Sequence, residues 1–277
     1  MIKLIADSSA DMPALPGTAG FAAVPMTIQA GETSFPDDAS LNTGAMLDHL
    51  AAYKGKSGTA CPAPERWMNA FEGADEIFVV TLTSALSGTY RSACAARELY
   101  LQSHPDARIE VFDSLTTGPE MRLLLEKLAG LIAQGAPLEA LRPAAEEYIA
   151  STRLTFCLQS LHNLSQNGRV SPIVASAVGL LGIRILAAAS PEGTIDPIEK
   201  CRGDKKALSA MTEHILAAGY RGGKLRIGHV ENPAAALRLE VALRAVFPQA
   251  DIISAPCRGL CSYYAERGGL LAGFETT

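Results

Sequence analysis

Several function classes need residues that this 277-residue sequence has few of or lacks. Its six cysteines, at positions 61, 94, 157, 201, 257 and 261, form no CxxC pair, and the five histidines (49, 104, 162, 214, 229) do not fall beside them. A structural zinc site wants about four such ligands in paired spacing. Scattered reduced thiols are therefore expected, with no metal and no cofactor. Lys and Arg number 24 against 29 Asp and Glu, a net charge of −5. Nucleic acids and anionic membrane surfaces both select a basic face, so neither is expected as a partner. The GxGxxG and Walker patterns are absent. The longest weakly charged stretch, Val170 to Ser190, is broken by Pro172, Gly179, Gly182 and Arg184. A spanning helix wants about 20 apolar residues without a central charge, so no stable membrane insertion is expected. Charge enters by Lys3 and Asp7, too early for the apolar region of a signal peptide. The expectation is a soluble, cytoplasmic protein.

A hydrophobic fraction of 48% with 19% charged residues is enough for a substantial core. The length suits one large domain or two modest ones. Ile2 to Ala6 reads as a buried strand that ends in the polar turn Asp7 to Asp11. Phe21 to Pro25 and Thr27 to Ala30 read as strands, Leu41 to Tyr53 as a helix, and Lys54 to Pro64 as a loop before a helix from Glu65. Glu76 to Leu82 and Arg108 to Phe112 are further strands, each followed by a polar turn and a helix. Such alternation predicts a parallel, doubly wound half whose polar turns gather at the carboxyl ends of its strands. The second half mixes strands near Thr155, Arg184, Lys224, Asp251 and Leu270 with helices Lys205–Ala218 and Pro233–Phe247, and Val174 to Leu181 is simply apolar. It reads as an α+β domain. The expected division is 1–153 and 154–277.

Three turns carry candidate chemistry. Asp7-Ser8-Ser9-Ala10-Asp11 sets two carboxylates and two hydroxyls after a strand, a place for a nucleophile or metal, or for plain turn capping. Ser87-Gly88-Thr89-Tyr90 opens a helix: Ser87 is placed as N-cap, and Gly88 allows an anion close to unpaired amides. Thr59 precedes Cys61-Pro62-Ala63-Pro64 in a rigid loop. Arg169 and Arg202 are the arginines expected to be held in turns.

In order along the chain, these segments resemble the DegV family of bacterial fatty-acid-binding proteins. The resemblance is carried by Asp7 to Asp11, Val24-Pro25-Met26, Thr59 to Ala63, Ser84 to Tyr90, Asp113-Ser114, Leu161 to Ser171 and Lys200 to Lys205. It implies a two-domain α/β fold with a lipid tunnel at or near the domain interface. A long-chain fatty acid such as palmitate, stearate or oleate is the implied ligand, and a fatty-acid kinase subunit the implied partner. The fatty-acid carboxylate would sit on Thr59, Ser87 and the amide near Gly88, with Arg169 and Arg202 in the head-group or partner region. The implied protein is a carrier, not an enzyme. The family's C-terminal His-x-Gly-Pro-Gly stands here as Ala265 to Gly269, without the histidine. A reading from another class is a small-molecule enzyme acting on a phosphoryl or acyl substrate at the Asp7, Ser87 and Asp113 turns.

Overall fold

The apolar run at the start of the chain becomes β1 (Ile2–Asp7), an inner strand of a parallel four-stranded sheet. The computed structural model describes residues 1–15, 20–171 and 182–276. In it, β2 (Phe21–Val24) and β6 (Glu76–Thr81) flank β1, and β7 (Arg108–Asp113) lies outside β6. Side chains alternate across a strand, and both faces here are apolar. Leu4, Ala6, Phe78 and Val80 pack on α4 (Gly118–Ala133) and α5 (Leu138–Ala150). Ile5, Ile77 and Val79 pack on α2 (Pro64–Phe71) and α3 (Thr89–Ser103). Helices on both faces give the expected doubly wound arrangement. Helix α5 was not anticipated, and it carries Pro143 within its span.

A small antiparallel sheet follows β2, with β3 (Thr27–Ala30) between β4 (Thr33–Pro36) and β5 (Ser57–Ala60). The loop expected over Lys54 to Pro64 is thus partly a strand. Ser57-Gly58-Thr59-Ala60 has no apolar period, yet it pairs with the edge of β3, placing Thr59 opposite Ile28. Between β4 and β5 runs α1 (Thr43–Ala52), whose Asn42 accepts from the Ala45 amide as N-cap.

The second half builds a six-stranded mixed sheet in the order β10 (Ile195–Arg202), β9 (Ile183–Ala189), β8 (Thr152–Leu158), β13 (Leu270–Glu275), β11 (Lys224–His229), β12 (Asp251–Pro256). One face is covered by α7 (Asp204–Ala217) and α8 (Pro233–Val246), which bury Ile227, Ala272 and Phe274. From the other face Leu154, Phe156, Leu158 and Leu271 point toward the first half. Short helices α6 (His162–Gln166) and α9 (Gly259–Ala265) lie on that side. The arrangement is α+β, as expected. Strand β10 was not anticipated, and Arg202 ends it rather than sitting in a turn: the β9 edge extends the ladder as far as the Arg202–Ile183 pair. The apolar segment Val174–Leu181 lies outside the described residues.

Helix α4 joins the two sheets. Its first turn rests so closely on β13 that a Cβ on Gly273 would fall 2.3 Å from the Glu120 amide nitrogen. Further along, Arg226 of β11 is 4% exposed and donates to Glu126 Oε2 on α4 at 2.7 Å and to Asp251 Oδ2 at 3.1 Å. Among the described residues no helix is long and apolar enough to cross a membrane.

Candidate functional site

The carboxyl ends of β1, β6 and β7 deliver the chain into three polar turns facing the apolar side of the six-stranded sheet. A cavity partly open to solvent lies there. Its long walls are apolar: Leu154, Phe156 and Leu271 from the large sheet, Leu82 and Leu115 from the parallel half, and Leu260 from α9. Threonines also line it, but their hydroxyls bond within the protein. Thr83 Oγ1 donates to the Gly193 carbonyl at 3.0 Å, Thr116 Oγ1 donates to the Glu120 carboxyl group, and Thr194 Oγ1 pairs with Ser190 Oγ at 2.9 Å.

Thr117 Oγ1 lies 3.9 Å from Cys261 Sγ, and the remaining polar lining residues, Thr59, Ser87, Arg169 and Tyr264, cluster together. Thr59 Oγ1 lies 2.7 Å from the Tyr264 hydroxyl, and Ser87 Oγ lies 2.8 Å from Thr89 Oγ1. The Arg169 guanidinium packs over the Tyr264 ring at 5.7 Å. Its Nε donates to the Leu86 carbonyl at 3.2 Å and its Nη1 to the Asn167 carbonyl. No carboxylate pairs with Arg169 among the described residues. A half-buried cation of this kind calls for an anion.

Local structure fixes each of these groups. Arg169 follows α6 in a turn, as expected, with Gly168 at φ +73°. Asn167 Nδ2 donates to the Tyr263 hydroxyl at 2.9 Å, and that hydroxyl is 2.9 Å from Ser57 Oγ, so β5, α9 and the arginine turn are tied together. Helix α9 is held at its start by two buried carboxylates. Asp37 accepts from the Gly259 and Leu260 amides, each at 2.9 Å, and Asp11 Oδ1 accepts from the Arg258 amide at 3.0 Å. Burial raises the pKa of both acids, to about 7 for Asp11, whose Oδ2 has no hydrogen-bond partner among the described residues. Burial likewise raises Glu120 to about 7.

The sequence-predicted residues fall in different places. Ser87 is not the N-cap: α3 begins at Thr89, Gly88 is the cap residue, and Ser87 Oγ accepts from the Thr89 amide at 3.3 Å. The chain between Ser87 and Thr89 closes as a tight hydroxyl turn, which moves the helix start by one residue. Gly88 does not line the cavity, and a Cβ there would make only ordinary contact with Cys61 Sγ at 3.6 Å. Arg202 is exposed and outside the cavity. Asp7 is fully buried and accepts from the amides of Ser9 at 3.0 Å and Leu82 at 2.7 Å, and burial lifts its pKa to about 6. Asp113 Oδ1 accepts from the Ser84 and Leu115 amides at 3.0 and 3.1 Å. Both acids brace the turns, and of the three turns assigned to enzyme chemistry only Ser87 contributes its named residue to the cavity wall. Among the described residues no group of three or more His, Cys, Asp and Glu is placed to hold a metal ion.

A model of the DegV family, described as one of uncharacterised proteins, matches residues 1–273. The chain belongs to the DegV family. A DegV domain-containing protein of Streptococcus pneumoniae is 44% identical over 99% of this chain and 98% of its own length. Two solved DegV-type structures superimpose along the whole chain. One, a DegV family protein from Eubacterium eligens loaded with heptadecanoic acid, is 48% identical with a TM-score of 0.97, covering 100% of both chains. The other, the Streptococcus pneumoniae fatty acid kinase B3 protein loaded with linoleic acid, is 44% identical with a TM-score of 0.98 and covers 100% of this chain and 99% of its own.

Ala265, named above as standing in place of a histidine expected from the resemblance, lines the cavity beside Tyr264. Sequence reasoning missed Tyr264. The signal was there in the adjacent pair Tyr263-Tyr264, directly before Ala265.

Proposed function

We propose that this protein is a fatty-acid carrier: it holds one long-chain fatty acid in the cavity, carboxylate toward Thr59 and Ser87, and presents it to a fatty-acid kinase. The observation that carries the reading is an apolar cavity with a cluster of polar groups, Thr59, Ser87 and Tyr264, beside an arginine without an acidic partner among the described residues. A 16-carbon tail removed from water contributes roughly 12 kcal/mol at about 0.8 kcal/mol per methylene. Association and ordering cost about 4–15 kcal/mol against that. The tail therefore sets the scale of the affinity, and the head-group end must repay the desolvation of one carboxylate. Hydroxyl donors and a nearby guanidinium do this with hydrogen bonds to a charged acceptor, each contributing about 1.5–3 kcal/mol.

Support comes also from the relatives: proteins 44–48% identical over essentially the whole chain hold heptadecanoic and linoleic acids, and one is a fatty acid kinase B3 protein. In this reading the chain has no catalysis of its own and works in the cytoplasm. Its two domains divide near residue 153, where α5 gives way to β8, with the cavity between them. Gly88 supports the head-group turn, Arg169 faces the carboxylate, and Arg202, exposed at the end of β10, belongs to the kinase-facing surface.

The test is mass spectrometry of an organic extract of natively folded protein, followed by palmitate binding to the delipidated chain. A stoichiometric fatty acid is expected, and the double substitution Thr59→Val with Ser87→Ala should weaken palmitate at least tenfold, the loss of about 1.4 kcal/mol or more, without unfolding the chain. An empty protein that also fails to take up palmitate or oleate would overturn the carrier reading.

A further inference from the structure

We infer that Tyr264 and Thr89 are the outer members of two hydroxyl relays that turn the O–H bonds of Thr59 and Ser87 toward the ligand's head group. The inference rests on the carrier reading and follows from counting protons. A hydroxyl has one proton to donate and two lone pairs to accept with. Thr59 Oγ1 has one described partner, the Tyr264 hydroxyl at 2.7 Å, and that hydroxyl likewise has only Thr59. A phenol is the more acidic of the two, so Tyr264 donates and Thr59 accepts. The Thr59 proton is then left without an acceptor among the described residues.

The second pair has the same logic. Ser87 Oγ already accepts from the Thr89 amide at 3.3 Å. Thr89 Oγ1, fully buried, can give its proton to Ser87 Oγ at 2.8 Å or to the Met26 thioether at 3.4 Å. Oxygen is the stronger acceptor, so the proton goes to Ser87, both of whose lone pairs are then filled. Its own proton is also left over. Two surplus O–H donors, both on cavity-lining residues, match the two oxygens of one carboxylate. Each inner hydroxyl is polarised by the one behind it, which strengthens the bond it makes. Burial raises the Tyr264 phenol above its ordinary pKa, so this relay stays neutral through the physiological range.

Tyr264 and Thr89 are thus positioning residues that act through Thr59 and Ser87. The experiment is equilibrium binding of palmitate and of 1-hexadecanol to delipidated wild type, Tyr264→Phe, Thr89→Val and Thr89→Ser, with thermal unfolding of each ligand-free chain. Tyr264→Phe keeps the ring under Arg169 and removes only the hydroxyl. It is expected to weaken palmitate about fivefold to tenfold, with melting temperature and hexadecanol affinity held. Thr89→Val should behave alike, and Thr89→Ser should restore palmitate binding. Unchanged palmitate affinity in Tyr264→Phe, or equal losses for acid and alcohol, would overturn the relays. The carrier reading has a separate point of failure: wild type that binds no palmitate refutes it. Binding lost in Thr59→Val with Ser87→Ala but intact in Tyr264→Phe and Thr89→Val refutes only the relays.

Discussion

Replacing Asp11 by Asn is expected to stabilise the ligand-free protein, and to do so more at pH 8 than at pH 5. The Asp11 carboxyl is raised from an ordinary 3.8 to about 7, first by burial and then by the like charge of Asp37. The hydrogen bond from the Arg258 amide offsets only part of this. A folded-state pKa above the unfolded one means that the folded chain binds the extra proton. The favourable contribution is therefore full below about pH 4 and is lost as the pH rises through about 7. At about 1.4 kcal/mol per pKa unit, the cost of the buried charge grows from about 2 kcal/mol at pH 5 to about 4 kcal/mol at pH 8. Asp11 keeps part of its surface exposed, so about 1–2 kcal/mol is the working difference between the two pH values. Asparagine keeps the oxygen that accepts from the Arg258 amide at 3.0 Å and carries no charge. For a chain of this size the gain in Tm should be larger at pH 8 than at pH 5 by roughly 2–8 °C. Circular-dichroism melts of both proteins at several pH values measure it. An identical offset at pH 5 and pH 8, or a variant less stable at pH 8, would refute the reasoning.

Other substitutions test the frame around the cavity. Gly193→Ala places a Cβ 2.1 Å from Thr83 Oγ1 and 3.0 Å from the Leu115 carbonyl at φ +78°; a loss of about 1–3 kcal/mol is expected in urea unfolding. Arg226→Ala removes one of the two guanidinium partners of Glu126 between α4 and β11, leaving Arg122 Nε at 2.8 Å. With that second partner left, the cost should fall below the roughly 3–5 kcal/mol of an uncompensated buried charge, to about 1–3 kcal/mol, and Arg226→Met combined with Glu126→Leu should recover part of it by denaturant titration. Leu154→Trp fills cavity space in the β8 wall. Displacing two or three methylenes should weaken palmitate about 10–60-fold while sparing a 12-carbon acid, as competitive binding would show.

The parts of the fold that were legible in the sequence are those whose signal is local. Strand β6 holds a continuous apolar run, Ile77 to Val80, because both sheet faces are covered, while β1 and β7 are apolar runs interrupted by Lys3 and by Glu110. Helices α3, α4 and α8 carry long apolar periods, and Pro119 and Pro233 stand at the starts of α4 and α8. Strand β8 shows its role in its alternation: Leu154, Phe156 and Leu158 face the cavity side while Cys157 faces the helices. The tail wall could therefore be read in advance as apolar. The head-group end could not, because nothing local holds it together. Strand β5 is Ser-Gly-Thr-Ala, a strand only because β3 offers it an edge. Helix α9 has seven residues, too few to persist alone. It exists because Asp37, 222 residues earlier, takes its first amide. Thr59 was named through a family motif, and its partner Tyr264 lies 205 residues away. Had the polar groups stood on one helix face, their spacing would have announced them. Drawn instead from β5, the turn before α3, the turn after α6, and α9, they converge only when the two sheets have packed against each other. The residues that make this convergence, Asp37 and Tyr264 among them, act on the site from across the chain.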